Sequence, residues 1–373
     1  MLFSGSLVLA LAGSRVLADR LFVASYTGEV STLSLEKDAY GSYSLEVIAT
    51  STACAANSSW ITLDHKRDTL FCADRGLVAK NGTLNSLKIQ HDGSLVALDR
   101  IQTPVGAAAT VMYAHNTGLA VAYYSSSSVG SFDISSASDI RPLQTFTYTL
   151  ATPGASAEFE DAPHPHQAIT DPTDSYVLVP DLGADLVRVY HINQHTKLLE
   201  QLDSLKTPTG SGPRHGYKVT YNSDNTLSFE ETFVKSLLET TTPGEKLQFW
   251  SAAAGIVVSP DKNFLLVSQR NDTHFSIPNP SSPSSSTKIP SDSLLTYSLD
   301  HSSGNVSLIS IDAAGGSFAR QFSINKAGDL VAVGLQNDGR VAILKRDVKT
   351  GKDVEIVAGI DIEGQVVCVI WDQ

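Results

Sequence analysis

The stretch HQAITDPTDSYVLVPD, residues 166–181, contains the unit that decides the fold: a short apolar strand, a tight turn and a second apolar strand. The Asp, Pro and Thr residues at its centre are typical of tight turns. The same pattern recurs along the chain. It recurs as WITLDHKRDTLFCAD from Trp60, TVMYAHNTGLAVAYY from Thr110, GIVVSPDKNFLLVSQR from Gly255 and QFSINKAGDLVAVGLQ from Gln321. One small β unit is therefore repeated.

Two further strands follow each pair, as in RVAILKRDVKTGKDVEIVAGI from Arg340. Four strands in about 45–60 residues are the signature of a β-propeller blade. Counting from Asp19 gives about seven units, which predicts an all-β, seven-bladed propeller over residues 19–373. The first unit lacks its own first strand, and we expect VVCVIW at the C-terminus to complete that blade and close the ring.

The fifth unit is shorter than the others. After GPRHG, residues 212–216, the chain reaches the outer-type strand YKVTYNSD, residues 217–224, at once. LSFEETFVKSL then supplies a fourth strand, so an inner hairpin of about 20 residues is missing. The fifth blade is therefore predicted to be truncated, unless an exon has been skipped in the gene model.

The composition limits the classes of partner. The chain has 373 residues, 42 % of them hydrophobic, and a formal net charge of −12. A strongly acidic protein is a poor ligand for nucleic acid or an anionic membrane. After the N-terminal apolar run, no stretch approaches the ~20 apolar residues of a membrane span.

The N-terminus predicts export. Residues 1–18 combine an apolar run with small residues before Asp19, as in a secretory signal peptide, although a short buried strand is the alternative. Cys54 and Cys72 flank a turn and are candidates for a disulfide, whereas Cys368 is predicted to be a buried free thiol. Four glycosylation sequons fit a secreted protein. Their acceptors are Asn57, Asn81, Asn271 and Asn305.

A Pro/Ser-rich segment, residues 274–293, interrupts the sixth unit. Its composition favours a mobile loop at one rim of the propeller, either as a lid or as a passive insertion.

Polar residues at the inner strand ends are the candidates for chemistry, because these strands line the channel of a propeller. DAPHPHQAI places His164 and His166 at alternate positions, where an imidazole can act as general acid or base, bind a ligand or bond to turn backbone. Asp181 is either a turn-stabilising carboxylate or a partner for Arg214.

Three further segments supply cations. GPRHG contains Arg214 and His215, VSQRND contains Arg270, and GGSFARQF contains Arg320. Guanidinium groups from three blades predict a site for a small anionic acid or lactone, although each arginine can instead pair with a nearby Asp. No nucleotide, flavin, zinc-protease or Ser-hydrolase motif is present, and we predict no cofactor.

The segments HPHQAITDPTDSYVLVPDLGADLVRVY, GPRHG and GGSFARQF together resemble the lactonase-type seven-bladed propellers. That family includes bacterial 6-phosphogluconolactonase and fungal 3-carboxy-cis,cis-muconate lactonizing enzyme (carboxymuconate cyclase), and the exported fungal members are the most similar. The resemblance implies a catalytic His at His166 and catalytic Arg residues at Arg214 and Arg270. It also implies a Glu on the missing strand of the fifth blade, for which Glu230 and Glu231 in the outer strand are poor substitutes.

The resemblance predicts an enzyme that forms or opens a lactone of a small polycarboxylate or sugar acid, as an isomerase or a hydrolase. The alternative is a secreted glycoprotein with an impaired catalytic site that serves as a binding, adhesion or antigenic surface protein.

Overall fold

The computed structural model describes residues 18–215, 220–221, 227–228, 252–282, 284 and 286–373. Within these ranges the chain is all-β, and a three-residue 3-10 helix, His65–Arg67, is the only helix. None of the described residues forms a helix with the length and hydropathy needed to cross a membrane. The predicted signal peptide falls, apart from Ala18, outside the described residues.

The strands form six antiparallel blades around a ring, numbered here by their predicted places in the repeat. Blade 1 contains β1 (Asp19–Ser25), β2 (Val30–Lys37) and β3 (Tyr43–Ser51). Blade 2 contains β4 (Ser58–Asp64), β5 (Thr69–Asp74), β6 (Gly82–Ile89) and β7 (Leu95–Thr103). Blade 3 contains β8 (Ala107–Tyr113), β9 (Gly118–Tyr123), β10 (Ser128–Asp133) and β11 (Arg141–Thr147).

The remaining strands follow the same order with two additions. Blade 4 contains β12 (Ile169–Thr170), β13 (Tyr176–Asp181), β14 (Leu186–Ile192), β15 (Leu199–Gln201) and β16 (Leu205–Lys206). A hairpin of β17 (Thr220–Tyr221) and β18 (Leu227–Ser228) comes next. Blade 6 contains β19 (Ala252–Val258), β20 (Phe264–Arg270), β23 (Ser293–Leu299) and β24 (Val306–Ala313), interrupted by the hairpin β21 (Phe275–Pro278) and β22 (Lys288–Ser291). Blade 7 contains β25 (Ala319–Ile324), β26 (Leu330–Leu335), β27 (Arg340–Arg346) and β28 (Asp353–Asp361).

The C-terminal strand closes the ring, as the sequence predicts. β29 (Val366–Trp371) pairs antiparallel with β1, from Leu21 opposite Trp371 to Ser25 opposite Val366. It occupies the innermost place of blade 1, so the first and last strands share one sheet and neither is left as an exposed edge.

Apolar side chains join neighbouring blades through buried clusters. Separate clusters link blades 1 and 2, 2 and 3, 3 and 4, 6 and 7, and 7 and 1. Among the described residues, the remaining clusters of blade 4 and blade 6 each stay within their own blade. The ring therefore lacks, in its described part, the apolar contact expected at position five.

Among the described residues, the fifth position contains only a two-stranded hairpin, which is what a truncated blade predicts. Its described strands are β17 and β18, which pair Thr220 with Ser228 and Tyr221 with Leu227. This hairpin matches the outer strands expected from the sequence. Glu230 and Glu231 lie outside the described residues.

The Pro/Ser-rich segment contains more regular structure than its composition predicts. Phe275 to Pro278 pair with Lys288 to Ser291 in a short hairpin. Between these strands the Ser281 hydroxyl donates to the Asp361 carboxylate at 2.7 Å and accepts from Arg340 Nε at 2.7 Å. Hydrogen bonds thus hold the segment against blade 7.

The structure contains the disulfide between Cys54 and Cys72, inside the cluster that joins blades 1 and 2. Cys368 is a buried free thiol in the same cluster.

The four sequons differ in exposure. Asn81 and Asn305 are exposed, and Asn271 is half-buried. Asn57 is buried, and its Nδ2 donates to the carbonyl oxygen of Tyr26 at 3.1 Å. In the folded chain the acceptor nitrogen of Asn57 is therefore used inside the protein, which disfavours a glycan at this sequon.

We expect the double substitution C54A/C72A to lower the free energy of unfolding by about 3 kcal/mol, because the cross-link restricts a loop between positions 18 residues apart in the unfolded chain. Urea denaturation monitored by tryptophan fluorescence measures this loss. The matched control is Cys368→Ala, which removes a buried sulfur and leaves the disulfide intact. An equal loss in both proteins would contradict a contribution from the cross-link.

Candidate functional site

A β-bulge recurs where the innermost strand of a blade begins. Ser59 in blade 2, Ala108 in blade 3, Arg320 in blade 7 and Val367 in blade 1 are each skipped by the pairing register. A bulged residue breaks the alternation of the strand and re-aims its side chain. Ala108, Arg320 and Val367 all line one central cavity, so in these three blades the bulge supplies the channel with one residue each.

His166 occupies the corresponding place in blade 4. Pro165 forms a bridge with Asp181, and the next residue, His166, donates its backbone N–H to the Pro180 oxygen at 2.9 Å. Arg214 follows Pro213 as His166 follows Pro165, and both side chains line the cavity.

The cavity has a volume of about 120 Å³. Its polar wall includes His166, Arg214, His215 and Arg320, four of the residues predicted from the sequence. The indole of Trp60 and other apolar side chains from several blades complete it. A larger groove of about 600 Å³ lies at the opposite ends of the strands, between Lys37 and Asp329, but no His or Arg lines it. The central cavity is therefore the better candidate.

His166 and His215 lie together in this cavity, with ring centroids 4.8 Å apart in an edge-to-face arrangement. Burial, and then the charge of Arg214, lowers the pKa of both imidazoles well below the usual value. Nδ1 of His166 is buried and has no hydrogen-bond partner among the described residues. The lowered pKa favours the neutral form of His166, and one of its ring nitrogens has no partner among the described residues.

The three predicted arginines bond to neutral groups. Arg214 Nη1 donates to the Ala254 carbonyl at 2.9 Å, and Arg320 Nη1 donates to the Gln336 side chain at 2.8 Å. Arg270 Nη2 lies 3.4 Å from a backbone carbonyl oxygen. Within the described parts of the chain, none of the three has a carboxylate oxygen within 4.0 Å. The alternative in which each arginine pairs with an Asp is therefore not seen.

The positive charges of the three guanidinium groups also repel one another. Burial, followed by the charges of Arg270 and Arg320, lowers the pKa of Arg214. Burial and Arg320 lower the pKa of Arg270 to about 10, although the nearby Asp292 opposes the shift. Uncompensated positive charge in a buried site is costly, and an anion bound there would reduce that cost.

Asp181 does not pair with Arg214, contrary to one predicted role. Its carboxylate accepts from Arg188 Nε at 2.8 Å and Nη2 at 2.6 Å, and from the His164 backbone N–H at 2.6 Å. Asp181 is fully buried, and its hydrogen bonds stabilise the structure of blade 4. Its role as a substrate ligand is wrong, because these donors occupy both carboxylate oxygens.

His164 is also held within the protein. Its Nδ1 lies 3.0 Å from the backbone carbonyl oxygen of Tyr124, and its Nε2 lies 2.8 Å from the Asp161 carboxylate. The ring stacks on Tyr124 at 4.1 Å. Because both ring nitrogens of His164 already have partners, the structure assigns this residue a structural role. Nδ1 of His166, by contrast, has no partner among the described residues.

Of a second ring of residues at the same end of the channel, sequence reasoning identified only Arg270. These residues lie at the end of each blade's second strand, and we call their places the rim positions. They are Tyr26, Arg75, Tyr124, Leu182, Arg270 and Gln336. Arg270 is the last paired residue of its strand, and the others directly follow the last paired residue. The available signal was the alignment of ASYTG, ADRGL, AYYSS and SQRND, which places Tyr26, Arg75 and Tyr124 in register with Arg270.

Comparison with known proteins fits this architecture. A family model described as lactonase, 7-bladed beta-propeller, matches residues 20–218 and 217–371. The chain belongs to this lactonase family. The two matched parts meet at Tyr217 and Lys218, immediately after GPRHG, where the inner hairpin of blade five is missing. The family match is thus split into two parts at the fifth blade position, where the described structure contains only a two-stranded hairpin.

Two curated relatives and one solved structure show the same similarity. The chain is 29 % identical to a probable 6-phosphogluconolactonase of Arthroderma benhamiae, over 77 % of this chain and 74 % of that protein. It is 24 % identical to a 6-phosphogluconolactonase of Formosa agariphila, over 79 % and 83 % of the two chains. The periplasmic gluconolactonase of Pseudomonas aeruginosa has the same fold, with a TM-score of 0.73, 21 % identity and coverage of 95 % and 99 %.

We expect Arg270→Gln to raise the free energy of unfolding by on the order of 1 kcal/mol, because it removes a partly desolvated charge beside Arg320. The matched control is Arg188→Gln, on β14 of blade 4. It leaves the Asp181 carboxylate buried without its partner and should lower the free energy of unfolding by about 3–5 kcal/mol. Thermal and urea denaturation measure both. Destabilisation by Arg270→Gln would contradict the repulsion among the channel arginines.

Proposed function

We propose that this protein is a lactone hydrolase that opens the ring of a small lactone carrying a carboxylate or a phosphate. The observation that supports the proposal most directly is the cavity in which neutral His166 lies beside Arg214 and Arg320, without a compensating carboxylate among the described residues. Membership of the lactonase family and relatives named 6-phosphogluconolactonase support the reaction class.

The residues suit the steps of the reaction. His166 takes a proton from water, since its free ring nitrogen is neutral at pH 7. The resulting hydroxide adds to the lactone carbonyl, and Arg214 stabilises the negative charge that develops on the carbonyl oxygen. Arg270 and Arg320 bind the charged group of the acid. The ring closure of a carboxymuconate cyclase is a different reaction, in which a carboxylate adds to a carbon–carbon double bond, so carboxymuconate is assayed as a separate substrate.

The pH dependence follows from His166. Because the pKa of this imidazole is lowered, its neutral form persists below the usual value of about 6.5. We expect kcat/KM for glucono-δ-lactone to stay flat as the pH falls from about 8 to 6 and to decline only at lower pH. Stopped-flow proton release at each pH measures the profile. A decline centred at or above pH ~6.5 would contradict a desolvated histidine as the base.

The variant His166→Gln belongs to the same prediction, and we expect it to lower kcat by ~10²–10⁴. His91→Gln, at an exposed position of blade 2, is the matched control and should retain full activity. Unchanged activity in His166→Gln would exclude the proposed base.

A second candidate function is binding without turnover. It is favoured by the missing inner hairpin of blade five, where the family resemblance places a Glu. In that case gluconate or citrate should raise the melting temperature of the wild-type protein, Arg214→Gln should abolish this shift, and neither gluconolactones nor carboxymuconate should react. Turnover of any of these substrates above background would exclude a purely binding protein.

We further propose that the protein is exported and glycosylated. The disulfide between Cys54 and Cys72 supports an oxidising compartment, and Asn81 and Asn305 present exposed acceptors. After secretion from a eukaryotic host, we expect glycans at Asn81 and Asn305 and none at Asn57, whose side chain is buried. Peptide mass spectrometry after enzymatic deglycosylation measures occupancy. Substantial occupancy at Asn57 in folded protein would contradict the burial of that sequon.

A further inference from the structure

Tyr26 lies between two arginines at the rim of the channel. Arg75 Nη1 donates to the Tyr26 hydroxyl at 2.8 Å, and the Arg320 guanidinium lies 5.1 Å from the centre of the Tyr26 ring. Arg320 also lines the cavity that contains His166 and Arg214. The Tyr26 ring therefore contacts a residue of the cavity wall, and its phenol lies close enough to Arg214 and Arg270 to interact with their charges.

The backbone holds this phenol in place. The Tyr26 backbone N–H donates to the backbone carbonyl oxygen of Gln365 at 3.0 Å, and the Tyr26 carbonyl accepts from Asn57 Nδ2 at 3.1 Å. The ring packs against the buried cluster that joins blades 1 and 2. Tyr26 is thus tied to the closing strand and to the next blade, and its hydroxyl is fixed relative to Arg75.

The charges facing Tyr26 favour its ionised form. They come from Arg320 in blade 7 and Arg75 in blade 2, and the buried Cys368 thiol of the closing strand is a further titratable group near Arg320. Burial alone would raise the pKa of Tyr26, but Arg320 and Arg75 outweigh burial and lower it. Arg75 Nε is buried and has no partner among the described residues. Within this part of the channel no carboxylate competes for the two arginines.

We propose that Tyr26 is the proton donor of the channel and protonates the ring oxygen of the lactone as the ring opens. This inference rests on the proposed function and extends it. His166 supplies a base, but the departing alkoxide also needs a proton, and the carboxylic acid expected at blade five is missing from the described strands. Tyr26 has the O–H and the two stabilising cations that this step requires.

The proton and electron balance is complete. His166 removes one proton from water, and the hydroxide forms a C–O bond to the carbonyl carbon. The tetrahedral intermediate collapses, the ring C–O bond breaks, and its electron pair moves to the ring oxygen. Tyr26 gives that oxygen its proton, and Arg75 and Arg320 stabilise the tyrosinate. The proton on His166 returns to Tyr26 through water, and no oxidant or cofactor is consumed.

The leaving group tests this assignment. Glucono-δ-lactone expels an alkoxide, which needs protonation, whereas dihydrocoumarin expels a phenoxide, which leaves without it. We expect Tyr26→Phe to lower kcat for glucono-δ-lactone by ~10²–10³ and kcat for dihydrocoumarin by less than about tenfold. Tyr124→Phe is the matched control, because it removes another rim hydroxyl, and it should lower both rates by the same small factor.

The outcomes separate the two proposals. Equal losses for both substrates, or no loss for either, in an active enzyme would overturn the role of Tyr26 and leave lactone hydrolysis standing. A wild-type protein that opens neither lactone overturns both proposals.

A titration gives a readout independent of turnover. The ultraviolet absorbance of tyrosinate should reveal one tyrosine in the wild-type protein that ionises below the ordinary pKa of about 10, and Tyr26→Phe should remove it. A titration that is the same in both proteins would overturn the assignment. Arg75→Gln should shift the same transition to higher pH, because it removes a cation that donates a hydrogen bond to the phenol.

Discussion

Uncompensated positive charge is the constraint on which the channel depends. Arg214, Arg270 and Arg320 come from separate parts of the ring, yet they are close enough to interact. The charges of Arg270 and Arg320 lower the pKa of Arg214, and the charge of Arg320 lowers the pKa of Arg270. Their hydrogen bonds go to backbone carbonyls and an amide. Such an arrangement is destabilising by itself, so it persists only because the surrounding blades bury enough apolar surface to hold it.

The apolar clusters between blades provide that surface, and they are unevenly distributed. Five clusters join neighbouring blades around most of the ring, while blade 4 and blade 6 keep separate clusters in the described structure. Arg214 comes from the segment between these two blades, and it donates to the Ala254 carbonyl at the start of blade 6. A candidate catalytic cation is thus positioned next to the part of the ring where, among the described residues, no apolar cluster joins neighbouring blades.

The repeat made the fold predictable, and the same repeat explains what was missed. Strand, turn and strand at a regular period predicted the blades, the closing strand and the short fifth unit, because each depends on local pattern. Pairing with Arg214 was one of the two roles predicted for Asp181, because the sequence shows a nearby carboxylate but not its geometry. Its true partner, Arg188, lies on the adjacent strand β14 and is reached across the sheet.

The bulges explain why the channel residues were only partly predictable. His164 and His166 were placed on one face by strict alternation, but regular pairing of blade 4 begins only at Ile169, after both residues. The alternation rule therefore does not apply to them, and their ring nitrogens have different environments. Arg320 was correctly placed at an inner strand end, although the register skip that turns it toward the cavity leaves no signature in a single sequence.

The rim positions show how one repeated backbone supports several chemical roles. The rim residue of each complete blade lies at the same end of the channel, and its identity varies among tyrosine, arginine, leucine and glutamine. The role expected of a carboxylate in blade five need not be filled from blade five, since rim residues of other blades lie at the same end of the channel. Tyr26 directly follows β1, the strand with which the C-terminal β29 pairs. Loss of one blade's inner hairpin therefore removes one rim residue, whereas in the proposed mechanism the proton donor comes from the blade that closes the ring.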